Sequence, residues 1–414
     1  MRISIIIIAI GLIIFIGHYL RGVFDRKSIP DVLGLMLLGF IIGPVGQLVS
    51  PDSFGKFGAL FSNLVLVLIL FESGIDLKLE EVKSSLKSSS GITIMGFFVT
   101  WLVLTLFVKL VFNSDWLTCL YIGATMGGTS SVVVAGLVKK INILPKTSAT
   151  LIMESAQTDL FTLAIPISIL KLMTTGEIKP EIVISGFFAS LILALFIGIA
   201  GGILWLFILN KIPSMKSTKF STLAFLFILY GVCEYLNYSG PLTVLTFGII
   251  LGNTKSIKLN FLKSNNQMQS AVLSKTEIDF LNELVFLFRT FFFIWIGMNI
   301  KIERLDWFLM GGAATSALYL ARILLIRLIA DKNNPVLDNA AISIMIPKGL
   351  GAAVIATLPA QAGLADGTFI QSFCYSVIFF STLLCVLFFF LIKSGISMPI
   401  YNLIFSNKYN TKPS

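Results

Sequence analysis

The chain has 414 residues, of which 56% are hydrophobic and 13% charged, and its mean hydropathy is +0.93. That composition excludes an ordinary globular domain and defines an all-α polytopic membrane protein. The net charge of +10 suggests nucleic acid at first sight, but the distribution of basic residues among loops accounts for it better.

In chain order, apolar runs of bilayer-crossing length fall at about 3–20, 31–49, 57–74, 91–112, 116–138, 147–173, 182–209, 217–236, 240–253, 279–300, 305–330, 336–360 and 368–392, about thirteen transmembrane helices. The first run follows Arg2 and superficially resembles a signal peptide. No small-residue cleavage site follows it and residues 21–27 read as a loop, so it is taken as the first span. Alternate loops differ sharply in Lys and Arg. One set carries only Arg2, Lys56, Lys171, Lys179, Lys301 and Arg304, whereas the other carries twenty-one, from Arg21 to Lys412. The positive-inside rule places the second set in the cytoplasm, with the N-terminus outside and the C-terminus inside. The expected setting is a cell membrane crossed many times. The polar, basic stretch 255–275 is the expected mobile segment.

Of the remaining basic residues, Lys109 can snorkel from a span end. Arg289, Arg322 and Lys348 lie within spans and need partners. Cys119, Cys233, Cys374 and Cys385 sit in apolar runs with neither a zinc nor a disulfide pattern. The single histidine, His18, leaves no basis for an imidazole nucleophile or a His-rich metal site. No nucleotide-binding glycine motif occurs, so no nucleotide is expected; the loop charges set nucleic acid aside, and with no His-based or metal-based centre no cofactor is expected and the chain is not read as an enzyme.

The sixth span holds Glu154-Ser155-Ala156-Gln157-Thr158-Asp159. Carboxylates at membrane depth are costly and mark functional sites. Ser155 and Asp159 share a helix face, while Glu154 lies about 140° around and roughly 7.5 Å along from Asp159. One acid can face an ion path and the other a neighbouring helix. A weak internal repeat is also present. Residues 38–44 read like 247–253, 71–78 like 294–301, and Gly127-Gly128-Thr129-Ser130-Ser131 like Pro347-Lys348-Gly349-Leu350-Gly351, each displaced by seven spans. An odd displacement gives opposite topology, hence two inverted repeats, a transporter signature with the site at matching Gly/Pro breaks. The expected division is 1–174 for the first repeat, 175–216 for a connecting helix, 217–393 for the second repeat and 394–414 for a short cytoplasmic tail. Lys348, at one break, would neutralise carbonyl ends of half-helices.

These features together resemble the monovalent cation/proton antiporter superfamily, near the NhaP-type prokaryotic sodium/proton antiporters. The carriers are Phe71-Glu72-Ser73-Gly74, Gly123 to Gly136, Glu154 to Asp159, Phe292 to Gly297, Arg322 and Pro347-Lys348-Gly349. The resemblance implies the antiporter fold with crossed broken helices, a homodimer, and a role in pH homeostasis. It implies that Asp159 binds cation and proton alternately, with Ser155, Glu72 and Thr129 as further oxygen ligands of a monovalent cation and Thr158 in the same ion-binding and proton-exchanging group. Glu154 would pair with Arg322, and Lys348 would sit at the crossing. The family usually has Asn before the aspartate and here Thr158 stands there, which leaves open both stoichiometry and the choice between sodium and potassium. Sodium is the foremost cargo, with lithium or potassium as alternatives, and the partners are cations, protons and the lipid bilayer.

Each assignment has a plainer rival. Asp159 in a buried ion pair, Glu72 at the interface, and Ser155 and Thr129 as packing groups are the structural alternatives. A sodium-coupled organic-anion symporter on a similar scaffold is a second function, with Arg289 and Lys348 as its only cationic candidates, and a gated channel or ion-sensing receptor, passing ions without obligatory proton counterflow, is a third.

Overall fold

The computed structural model describes residues 11–12, 14–19, 22, 31–47, 55–76, 79–138, 140–175, 180–212, 220–236, 238, 240–254, 275–300, 304–329 and 334–405. Every regular element among them is helical. In order they are α1 (Asp31–Phe40), α2 (Gly55–Asp76), α3 (Leu79–Phe112), α4 (Trp116–Thr125), α5 (Ser131–Val138), α6 (Pro145–Thr175), α7 (Pro180–Lys211), α8 (Ser221–Tyr235), α9 (Gly240–Gly252), α10 (Lys275–Met298), α11 (Leu305–Ile329), α12 (Val336–Ile344), α13 (Leu350–Ile355), α14 (Leu358–Gln361), α15 (Gly367–Lys393) and α16 (Met398–Phe405). Among the described residues, six stretches are long and apolar enough to cross a membrane, within α3, α6, α7, α10, α11 and α15, and shorter apolar helices accompany them. Most of the first expected span, the 255–274 stretch and residues 406–414 lie outside the described residues.

The fifth and twelfth spans are broken, as their glycines and proline imply: α4 and α5 are separated at residues 126–130, and α12 and α13 at 345–349. Three boundaries differ from expectation. The second span is a single helix that ends at Val45 and is not α-helical throughout: α1 widens into a π-turn over Ile41–Val45, with Gly46 N–H donating to Ile41 O at 2.8 Å. Pro44 has no N–H to give, and the wider ring absorbs the mismatch. The fourth span continues a helix that starts at Leu79, because charged residues propagate a helix that a hydropathy pattern cannot see. The tail contains α16, whose Tyr401 is buried.

Helix ends follow local chemistry. Asp115 caps α4 by accepting from Leu117 N–H at 2.9 Å. Asn113, beyond α3, takes the left-handed conformation at φ 49°. Lys109 reaches past that end to donate to Ser114 O at 2.9 Å.

The described residues form two compact units, one of 1–55, 85–174 and 293–414, the other of 56–84 and 175–292. These units express compactness, whereas the repeat boundaries express internal resemblance. In the first unit α15 packs against α11, α12, α13, α14 and α1. Tyr121, fully buried, donates to Ile355 O at 2.6 Å and ties α4 to α13. In the second unit α7, α8 and α9 pack together, with Phe71 stacked on Phe247 at 5.5 Å.

Each unit contains one very close helix crossing. In the first, a Cβ at Gly39 would strike Ile294 backbone, one at Gly43 would meet Met298, and one at Gly297 would strike Met36 O. In the second, a Cβ at Gly74 would strike Leu245 O, one at Gly248 would meet Phe71 O at 2.6 Å, and one at Gly252 would strike Ile75 O. The residues are those of the sequence repeat with partners exchanged: 38–44 packs on 294–298, and 71–75 packs on 245–252. Small residues four apart bring backbones together in just this way in membranes.

Candidate functional site

The site is built from α6 and the two breaks, all in the first unit. Before α6, Leu144 N–H donates to Asp338 Oδ1 at 2.9 Å, so α12 holds the start of the helix that carries the acids. Glu154 is 2% exposed and Arg322 4% exposed. Arg322 Nη2 lies 2.6 Å from Glu154 Oε2, so the buried acid is compensated. Arg322 Nε also donates to Ile342 O at 3.3 Å. Tyr319 Oη lies 3.3 Å from Ile344 O and 3.0 Å from Ser381 O, one proton serving both. Two side chains of α11 thus meet the carbonyl end of α12, which carries partial negative charge. Gly96 of α3 sits beside the ion pair, and a Cβ there would collide with Arg322 Nη1.

The breaks touch each other through main chain. Ser130 N–H donates to Pro347 O at 2.7 Å. Lys348, 1% exposed, donates from Nζ to Gly128 O at 3.0 Å, past the carbonyl end of α4. Its backbone N–H donates to Ser381 Oγ at 3.0 Å. Backbone groups released by a break at membrane depth must find partners within the protein, and these bonds supply them.

The first break is also tied to α6. Thr129 N–H donates to Thr158 Oγ1 at 3.1 Å, and that hydroxyl donates to Ser155 O at 3.1 Å. The hydroxyls of Thr129 and Thr158 are 3.5 Å apart. Ser155 Oγ donates to Leu151 O at 2.9 Å, which leaves its lone pairs able to accept. Asp159 follows Thr158 and is half-buried. Ser155, Thr158, Asp159, Thr129, Glu154, Arg322 and Lys348 therefore gather around one stretch of α6. Glu72, half-buried on α2, belongs to the second unit. Arg289, also in the second unit, lies 5.9 Å from the Phe286 ring centroid.

Sequence reasoning missed Gly96, Ser130, Tyr319 and Ser381. Only Ser381-Thr382, a polar pair inside an apolar run, carried a local signal. Gly96 acts through the absence of a side chain, Ser130 through its backbone N–H, and Tyr319 through a phenol whose two carbonyl partners are 25 and 62 residues away in sequence.

Two crossed broken helices closed by a buried lysine, beside a helix with two intramembrane carboxylates, define the antiporter class of membrane fold. The family described as sodium/hydrogen exchanger, transmembrane, matches residues 6–393, and the chain belongs to that family. A K(+)/H(+) antiporter NhaP2 of Shewanella sp. (strain ANA-3) is 24% identical over 251 residues, which make up 59% of this chain and 43% of that protein. The chain thus spans less than half the length of such relatives. A probable Na(+)/H(+) antiporter 2 of Methanocaldococcus jannaschii is 22% identical over 358 residues, 83% of this chain and 81% of that one. The solved sodium proton antiporter MjNhaP1 of the same organism, at pH 8, shares the fold with a TM-score of 0.71 at 21% identity, covering 93% of this chain and 100% of its own.

Proposed function

We propose that the chain exchanges a monovalent cation for protons by alternating access, with Asp159 binding the two in turn. The observation that carries this reading is the bond from Thr129 N–H, in the first break, to Thr158, the residue before Asp159. Any rearrangement of the break reaches the turn that holds the acid. An ionised carboxylate away from water is stabilised by taking up either a proton or a cation, so the two compete. Oxygen is the donor that hard cations prefer, and Ser155 and Thr129 supply it. Glu154 with Arg322 and Lys348 are architectural: they hold the broken ends and leave Asp159 as the exchanging group.

Sodium is the foremost cargo, supported by the probable Na(+)/H(+) relative that matches most of the chain. Potassium is the second reading, favoured by Thr158 in the place of Asn and by the K(+)/H(+) relatives. The protein acts as a homodimer in a prokaryotic plasma membrane, with its N-terminus outside.

The test is a proteoliposome loaded with a pH-sensitive dye, given a proton gradient and then sodium, lithium or potassium. Wild type relieves the gradient and Asp159→Asn does not, and the order of cations gives selectivity. Undiminished exchange in Asp159→Asn refutes the assignment. Absence of proton movement with every cation refutes antiport itself.

A further inference from the structure

Most hydroxyls along α6 are satisfied by the helix itself. Thr150 donates to Lys146 O, Ser155 to Leu151 O, Ser168 to Ala164 O and Thr158 to Ser155 O. Thr162 breaks the pattern. It is 3% exposed, and its Oγ1 has no hydrogen-bond partner among the described residues. The hydroxyl is turned off its own helix toward Gly128, where a Cβ would collide with it. Gly128 is the residue whose carbonyl receives Lys348. A buried hydroxyl left unmatched costs about 1–3 kcal/mol and calls for an explanation.

Helical geometry supplies one. Ser155 lies about 6 Å along the axis on one side of Asp159, and Thr162 lies about 4.5 Å on the other. Ser155 and Thr162 are only about 20° apart around the helix. The three residues form one stripe with the acid in the middle. Along the axis, Ser155 and Thr162 therefore flank Asp159 on opposite sides.

Building on the exchange reading, we propose that Thr162 is a further cation-binding residue: its hydroxyl oxygen is a neutral ligand for the monovalent cation on the side of Asp159 opposite Ser155. Gly128 belongs to the same site, since only its missing side chain leaves room for the hydroxyl. The idle hydroxyl is then a retained binding group rather than a packing one. It steadies the partly dehydrated cation beside Asp159.

The test compares Thr162→Val, which keeps the shape and removes the oxygen, with Thr162→Ser, which keeps the oxygen. Two readouts are taken: cation-driven proton movement in proteoliposomes, and the rise in thermal stability of detergent-solubilised protein with sodium, lithium or potassium chloride against choline chloride. Thr162→Val is expected to raise the half-saturating cation concentration roughly three- to tenfold in both, with its stability in choline chloride kept or increased. Thr162→Ser should stay near wild type. Unchanged cation dependence in Thr162→Val overturns the proposal. So does a loss of stability in choline chloride, which would mark the hydroxyl as structural. Asp159→Asn separates this idea from the reading beneath it: if that variant loses exchange while Thr162→Val matches wild type, only the Thr162 proposal fails. If wild type shows neither exchange nor cation-dependent stabilisation, both fail together.

Discussion

Glu154 and Arg322 show how one residue's chemistry serves two ends. The guanidinium compensates a carboxylate that burial would otherwise make costly, and it also meets Ile342 O at the end of a half-helix. Removing one partner of a buried pair leaves an uncompensated charge, at about 3–5 kcal/mol. Glu154→Leu and Arg322→Leu should therefore each lower stability by about that amount, while the double variant recovers a large part of it. Thermal or denaturant unfolding of the four proteins in a double-mutant cycle measures the coupling. Additive losses would mean that the pair is not coupled as the 2.6 Å contact implies. The pairing itself was legible from sequence through the family resemblance, because two opposite charges inside apolar spans demand each other. Gly96 was not, since a residue that matters by having no side chain leaves no chemical mark.

At the scale of elements, the break between α4 and α5 is set by glycines and held by a threonine. Thr158 Oγ1 accepts from Thr129 N–H, so a substitution that keeps an acceptor should keep the break. Thr158→Val is expected to lose about 1–3 kcal/mol by stranding that N–H. Thr158→Asn retains an amide oxygen and should remain closer to wild type. Hydrogen exchange at Thr129 checks the pair: faster exchange in the valine variant only is the expected result, and equal rates would remove Thr158 from the role. The close helix crossings make a parallel forecast. Gly297→Val and Gly74→Val each place a branched side chain where a carbonyl already sits, so both should lower the melting temperature markedly more than Gly136→Val, whose site is open. The breaks were readable because Gly127-Gly128 and Pro347-Lys348-Gly349 interrupt apolar runs. The π-turn at Ile41–Val45 was not, because hydropathy reports where a chain lies and says little about the width of its hydrogen-bonded rings.

For the molecule as a whole, the charge asymmetry of alternate loops makes a direct forecast about orientation. The described cysteines are buried, so labelling background should be low. In intact cells, Lys408→Cys should resist a membrane-impermeant thiol reagent and Arg2→Cys should react. The reverse pattern would turn the topology over. The internal repeat was partly visible in composition, yet its physical content appears only in three dimensions, where 38–44 meets 294–298 and 71–75 meets 245–252. The pairing exchanges the two halves, and no string comparison within one half could reveal it. The bond from Ser130 N–H to Pro347 O has a further consequence. It joins two main-chain segments, so every replacement of Ser130 except proline keeps its donor, and a change in the number of residues leading to either break would misalign it. Such a crossing is recorded in spacing rather than in spelling. Proteins that share about one residue in five can still share one fold, as the 21% identity at a TM-score of 0.71 illustrates.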